Sequence, residues 1–160
     1  MIIPSEYFVT SGKGVSKTSL LNAFDIALWD ARIGHLNIVP VSSIIPPNAR
    51  ERDYVELPAG SVTFAVMAKE EGRGGEVISA GLAWAEGRPH GYVLEAHGKM
   101  GVEELSRELR GMVLEVEEYA NIEIVKGWRY LVESMKVPEG AHGVVIVALV
   151  LVARECTQVL

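Results

Sequence analysis

Between Leu36 and Pro47 the chain reads Leu-Asn-Ile-Val-Pro-Val-Ser-Ser-Ile-Ile-Pro-Pro. A run of Ile and Val at this length suits a strand buried on both sides. Pro46 and Pro47 lack amide protons, so the strand should end there. Ser42 and Ser43 therefore sit in or beside a dry core, and each hydroxyl needs a hydrogen-bond partner. On the pattern alone, neighbouring backbone groups satisfy them.

The rest of the chain limits what such a strand can serve. With 160 residues, 49% hydrophobic and 22% charged, it is a globular chain with room for one domain and a sizeable core. A net charge of -6 and scattered basic residues exclude a nucleic-acid or anionic-membrane partner. The single cysteine, Cys156, rules out an intrachain disulfide framework and a cysteine metal cluster, and suits a reducing cytoplasm. The N-terminus has no signal-peptide pattern, and the longest apolar run, Val144 to Ala153, is too short to span a bilayer.

Hydrophobic periodicity predicts two helices. In Ser19 to Ala31, the residues Leu20, Ala23, Phe24, Ala27, Leu28 and Ala31 share one face, with Thr18 or Ser19 as cap and Gly34 as stop. In Val102 to Ala120, the stripe is Val102, Leu105, Leu109, Met112, Val113 and Val116, and Gly111 marks a close approach. Strands are expected at Glu6 to Thr10, Ser61 to Lys69, Glu76 to Ala85, His90 to Ala96, Ile122 to Met135 and Val144 to Ala153, with a short run at Tyr54 to Leu57. Recurring turns between the central strands suggest an antiparallel meander. Helices before and after a block of strands give the α+β class, two helices on antiparallel sheets. Ser11-Gly12-Lys13-Gly14 lacks the order of a phosphate loop and is expected to be a surface turn.

Candidate chemistry is sparse. His35, His90, His97 and His142 show no metal-ligand spacing, and no nucleophile elbow occurs. Asp25 lies on the flank of the first helix stripe, either as a solvated carboxylate or as an anion lining a cleft. Glu95 follows Tyr92-Val93-Leu94 in an apolar strand. It either faces water at the sheet edge or sits in a site, where burial would raise its pKa and suit it to donate a proton near neutrality.

Four pieces in order carry a resemblance: Leu21-Asn22-Ala23-Phe24-Asp25; Gly34-x-x-Asn37 into Val41-Ser42-Ser43-Ile44-Ile45-Pro46-Pro47; Leu57-Pro58-Ala59-Gly60; and Gly75-Glu76-Val77-Ile78-Ser79-Ala80 with Leu94-Glu95-x-x-Gly98-Lys99. Together they resemble the pyruvoyl-dependent arginine decarboxylases, from about Leu20 to the last strand. The serine-serine segment is the most specific part.

The resemblance implies a four-layer αββα sandwich and a homotrimer of processed subunits with sites between them. It also implies a self-made cofactor. The Ser43 hydroxyl would attack the Ser42 carbonyl, the peptide would become an ester, and β-elimination and hydrolysis would leave a pyruvoyl group at position 43 with loss of ammonia. The single domain would thus be cut into a short and a long chain between Ser42 and Ser43. A hydroxyl held against a carbonyl away from water gains from proximity. Asn37 matches the family's asparagine and would donate to the oxyanion at Ser42; the other reading of Asn37 is a strand-start residue satisfying backbone. The pyruvoyl group would serve as the electron sink. Glu95 matches the catalytic glutamate that returns a proton to the α-carbon. Asp25 matches the residue that holds the guanidinium, since a carboxylate accepts two parallel hydrogen bonds from that fork. The implied activity is L-arginine to agmatine and carbon dioxide for polyamine biosynthesis, in the cytoplasm. The departure is His97, where the family often has a second acid. Either His97 lies outside the site or the coupling to Glu95 differs, which bears on substrate preference. A pyruvoyl decarboxylase of another amino acid, or an unprocessed binding relative, are the competing readings.

Overall fold

The computed structural model describes residues 1–153, so Cys156 lies outside the described residues. The chain runs β1 (Glu6–Ser16), α1 (Leu20–Asp30), β2 (Asn37–Pro40), β3 (Ile44–Ile45), β4 (Arg50–Glu51), β5 (Val62–Arg73), β6 (Val77–Ala85), β7 (Gly87–Arg88), β8 (Gly91–Gly98), α2 (Val102–Tyr119), β9 (Glu123–Ile124), β10 (Arg129–Lys136) and β11 (His142–Val152). Five strands form one sheet in the order β2-β5-β11-β1-β4, and four form a second in the order β10-β6-β8-β3. The first is called sheet A below and the second sheet B; β7 and β9 pair separately.

Alternation of side chains sorts the core into three layers. On β11, Val145, Val147, Leu149 and Leu151 point between the sheets, where they meet Ile78, Leu82, Trp84 and Val93 of sheet B. Val144, Ile146, Ala148 and Val150 point the other way, onto Ala23, Ala27 and Ala31 around α1. On the outside of sheet B, Leu105, Leu109, Val113 and Val116 of α2 cover Ala83, Leu94 and Ala96. The layers are therefore helix, sheet, sheet, helix, as the α+β reading expects. The burial of β11 on both faces explains why its sequence shows no polar alternation.

Both helices start as their sequences dictate. Ser19 caps α1, its hydroxyl accepting the amide of Asn22 at 3.0 Å. Gly101 is the N-cap of α2, and Glu103 and Glu104 sit in its first turn, against the helix dipole. The left-handed residue that turns the chain after α1 is Arg32, at φ 64, and not Gly34.

Several expectations are corrected. The Ser11 to Gly14 segment is not a turn: β1 runs straight through it, paired with β11 to the last residue. A Cβ at Gly12 would lie 2.1 Å from the Ala27 carbonyl oxygen, and one at Gly14 would lie 1.9 Å from that of Ala23. The glycines are there so that α1 can lie against the strand. Likewise β5 continues to Arg73, past the expected strand end at Lys69. No meander forms, because β5 and β6 belong to different sheets and only β6 and β8 are sequence-near neighbours. Two pairs, β2 with β5 and β1 with β4, are parallel. The Ile122 to Met135 strand is two pieces, β9 and β10. Gly111 meets open space. Finally, the serine segment is not a strand buried on both sides: β2 stops at Pro40, Ser42 is exposed, Ser43 is half-buried, and β3 begins at Ile44. The chain crosses here from sheet A to sheet B.

Candidate active site

That crossing is tightly held. The Ser43 carbonyl accepts the amide of Val93 at 2.8 Å, and Ile44 and Ile45 pair with Tyr92 and Gly91 on β8. One residue earlier, the Ser42 carbonyl accepts the amide of Ile44 at 3.2 Å, so the backbone closes a three-residue turn around Ser43. The carbonyl that the Ser43 hydroxyl would attack thus carries a backbone donor. The Ser43 hydroxyl has no hydrogen-bond partner among the described residues. These features fit a serine that is the precursor of a pyruvoyl group: the hydroxyl is uncommitted, and the adjoining carbonyl is polarised.

Beyond Ile44, β8 has no neighbour on the side of Ser43 among the described residues, and the next residues on the same face are polar. Val93 points between the sheets, and Glu95 and His97 follow it at the period of two. Burial pushes the Glu95 carboxyl above its usual range, and the charge of His97 opposes that shift in part. Its neighbour on β6 is Leu82, but the other side of β8 is open here, so in the single chain Glu95 is exposed at the sheet edge and the burial is partial. His97 is not isolated either. Its Nδ1 lies 2.8 Å from the Glu70 carboxylate on β5, so the pair ties sheet B to sheet A beside Glu95.

Asp25 and Asn37 are placed differently. Asp25 is exposed on α1, on the far side of sheet A from Glu95, and has no partner among the described residues. Leu21, Ile26 and Trp29 around it are 77%, 43% and 56% exposed, an unusual apolar collar for a lone carboxylate. Asn37 opens β2 and donates from Nδ2 to the carbonyl of Gly60 at 2.9 Å. One chain therefore brings Ser42, Ser43 and Glu95 to one edge of sheet B but does not bring Asp25 to them. A cleft of about 510 Å³ beside Ser42, lined by Val41, Ile44, Pro46, Phe64 and Ile2, is largely apolar.

The sequence motifs meet in space. His35 and Asn37 clasp the Leu57 to Gly60 turn: His35 Nε2 lies 3.0 Å from the Leu57 carbonyl, and the Gly60 amide donates to the His35 carbonyl at 2.8 Å. Glu76 binds Lys99 at 2.6 Å, and Ser79 pairs with Gly98. The Lys99 hydrogen bond holds the Glu76 carboxyl below its usual range. Sequence reasoning missed three contributors. The amides of Ile44 and Val93 act through the backbone and have no side-chain signature. Glu70 lies past the expected strand end at Lys69, and the continuation of β5 aims it inward. Among the described residues there is no cluster of three or more metal-ligating side chains, and no helix is long and apolar enough to cross a membrane.

Comparison with known proteins agrees with the motif order. The chain is 33% identical over 165 aligned positions to a probable pyruvoyl-dependent arginine decarboxylase of Chlorobaculum tepidum, covering 88% of this chain and 90% of that one. It is 37% identical over 128 positions to pyruvoyl-dependent arginine decarboxylase 2 of Archaeoglobus fulgidus, covering 72% and 80%. A 74-residue match to the Methanopyrus kandleri pyruvoyl-dependent arginine decarboxylase is 54% identical but spans about half of each chain, 46% and 49%. The profile of one family matches residues 6–156, nearly the whole chain, and the chain belongs to that family, the pyruvoyl-dependent arginine decarboxylases.

Proposed function

We propose that this chain cuts itself between Ser42 and Ser43 and then, as a homotrimer, converts L-arginine to agmatine and carbon dioxide for polyamine biosynthesis in the cytoplasm. The observation that carries the reading is the turn at Ser43: the Ile44 amide on the Ser42 carbonyl, with Ser43 clamped to the strand that bears Glu95.

In the self-cleavage, the Ser43 hydroxyl attacks the Ser42 carbonyl carbon, and the Ser43 nitrogen becomes the leaving amine of an ester. Charge gathers on the Ser42 oxygen, toward which the Ile44 amide already points. Asn37 stands at the far end of β2, about five extended residues from Ser42, so in this reading its second amide hydrogen serves that oxygen only from a neighbouring copy. Loss of the α-proton of Ser43 expels the Ser42 carboxylate, and hydrolysis of the resulting dehydroalanine releases ammonia.

The pyruvoyl group at position 43, once formed, supplies the electron sink for loss of carbon dioxide. The chain's own residues do the rest. Asp25 accepts two hydrogen bonds from the substrate guanidinium, and the apolar collar of Leu21, Ile26 and Trp29 excludes water around that pair. Glu95, whose pKa partial burial raises, gives its proton to the substrate α-carbon.

The same placement supports an assembly of copies, which this reading takes to be a trimer. Asp25 and Glu95 lie on opposite sides of sheet A, so one substrate reaches both only when Asp25 comes from a neighbouring copy. The exposed Leu21, Trp29, Val39 and Ile44 give such a contact its apolar area. The test is carbon dioxide release from carboxyl-labelled amino acids by the purified, processed protein. Arginine should be the preferred substrate, and no release from any amino acid would overturn the reading.

A further inference from the structure

We propose that His97, held by Glu70, reloads Glu95 with a proton after each turnover. The proposal rests on the reading of Glu95 as the proton donor and adds the route by which that donor is restored.

Replacing a carboxylate by hydrogen on the α-carbon consumes one proton per turnover. Glu95 is therefore left ionised after each cycle, at a sheet edge where partial burial favours its neutral form. Its neighbours offer few sources. Leu82 and Ala80 flank Glu95 and His97 on β6, and on the other side β8 meets only the Ser43 crossing. From β5, Val66 and Ala68 face inward as part of the apolar core, and Glu70 is the charged member of that face. Glu133, across β6 from His97, is held by Lys13 at 3.3 Å, and Lys99 is held by Glu76. His97 is thus the titratable group on the inner face next to Glu95, one pleat along the same strand.

His97 also has the two properties a relay needs. Its side chain is 54% exposed, so it exchanges protons with water, while that of Glu70 is 17% exposed and provides a fixed anchor. The Glu70 carboxylate occupies Nδ1 at 2.8 Å, which leaves Nε2 as the nitrogen that delivers. In the step, the Nε2 proton of the imidazolium passes to a Glu95 carboxylate oxygen. The Nδ1 proton stays on the ring, hydrogen-bonded to Glu70, and Nε2 recovers a proton from water or a buffer acid. No electrons change hands.

The test uses the processed protein with His97→Gln, and with Glu70→Gln as a milder variant. His97→Gln should lower kcat about tenfold with KM little changed, less than the roughly hundredfold or more of a group that transfers the proton in the transition state, because water still reloads Glu95, and imidazole buffer should restore part of the rate. Glu70→Gln should lower kcat by less. A second readout needs no turnover: the Glu95 carboxyl, followed by carbon-13 NMR in substrate-free protein, should titrate at a higher pH in His97→Gln than in the parent, because a cationic neighbour is gone. An unchanged kcat in His97→Gln, or a Glu95 midpoint that does not move, overturns the relay while leaving Glu95 as donor. Full decarboxylation by Glu95→Gln overturns both.

Discussion

The backbone amide of Val93 holds the carbonyl of Ser43 at 2.8 Å. Glu95, two residues further along the same strand and on the same face, is therefore within about 7 Å of that anchor along the chain, given the strand repeat. A single hydrogen bond thus registers the segment proposed to be cut against the acid proposed to work after the cut.

The two roles should separate by mutation. Glu95→Gln should leave self-cleavage close to normal and lower decarboxylation by at least about a hundredfold, the usual worth of a placed general acid. Denaturing gels and carbon dioxide release measure the two in one preparation. Equal loss of both would mean that Glu95 also serves the cleavage.

Activity should fall as pH rises. The donor works only when protonated, and burial raises the pKa of Glu95 above the ordinary carboxylate value while His97 partly opposes it. The kcat profile should therefore hold its plateau below that raised pKa and descend through it. A profile that rises through the same region would assign the proton to another group.

Asp25→Asn should keep cleavage and fold intact, because the residue is exposed and unpartnered within the described chain. KM for arginine should rise roughly tenfold to a hundredfold, the worth of hydrogen bonds between charged groups. Steady-state kinetics checks this. A large loss in kcat with constant KM would place Asp25 in the chemistry instead.

Gly14→Ala tests the packing of α1. Its new Cβ would fall 1.9 Å from the Ala23 carbonyl oxygen, a backbone atom that cannot swing aside. The helix must lift off β1, at a cost of about 1–3 kcal/mol or more. The urea midpoint should drop accordingly, whereas Gly111→Ala, which meets open space inside α2, should hold or raise it.

Legibility followed the physics of each element. α2 was readable because one face is solvated, so Leu105, Leu109, Val113 and Val116 stand out against Glu and Arg. The class and layer order followed from such patterns and from the family motifs. What failed were the places where tertiary contact overrides local signal. Gly12 and Gly14 look like turn residues until a helix is laid against them. The Ile and Val around Ser42 and Ser43 look like a core strand, yet they form a crossing between sheets whose apolar side chains remain partly exposed in the single chain. Residue types drew attention to Ser43, Glu95 and Asp25, and the family resemblance added Asn37. Distance between elements, which a sequence does not hold, added Glu70 and divided Asp25 from Glu95.

The central claim is that the Ser42–Ser43 bond is built to break. Denaturing mass spectrometry of the purified protein, beside its Ser43→Ala variant, tests it most directly. The account predicts two fragments, residues 1–42 and 43–160, the longer one lighter by one ammonia than the same fragment beginning with serine, and an intact Ser43→Ala chain. A parent chain that stays whole after prolonged incubation would contradict it.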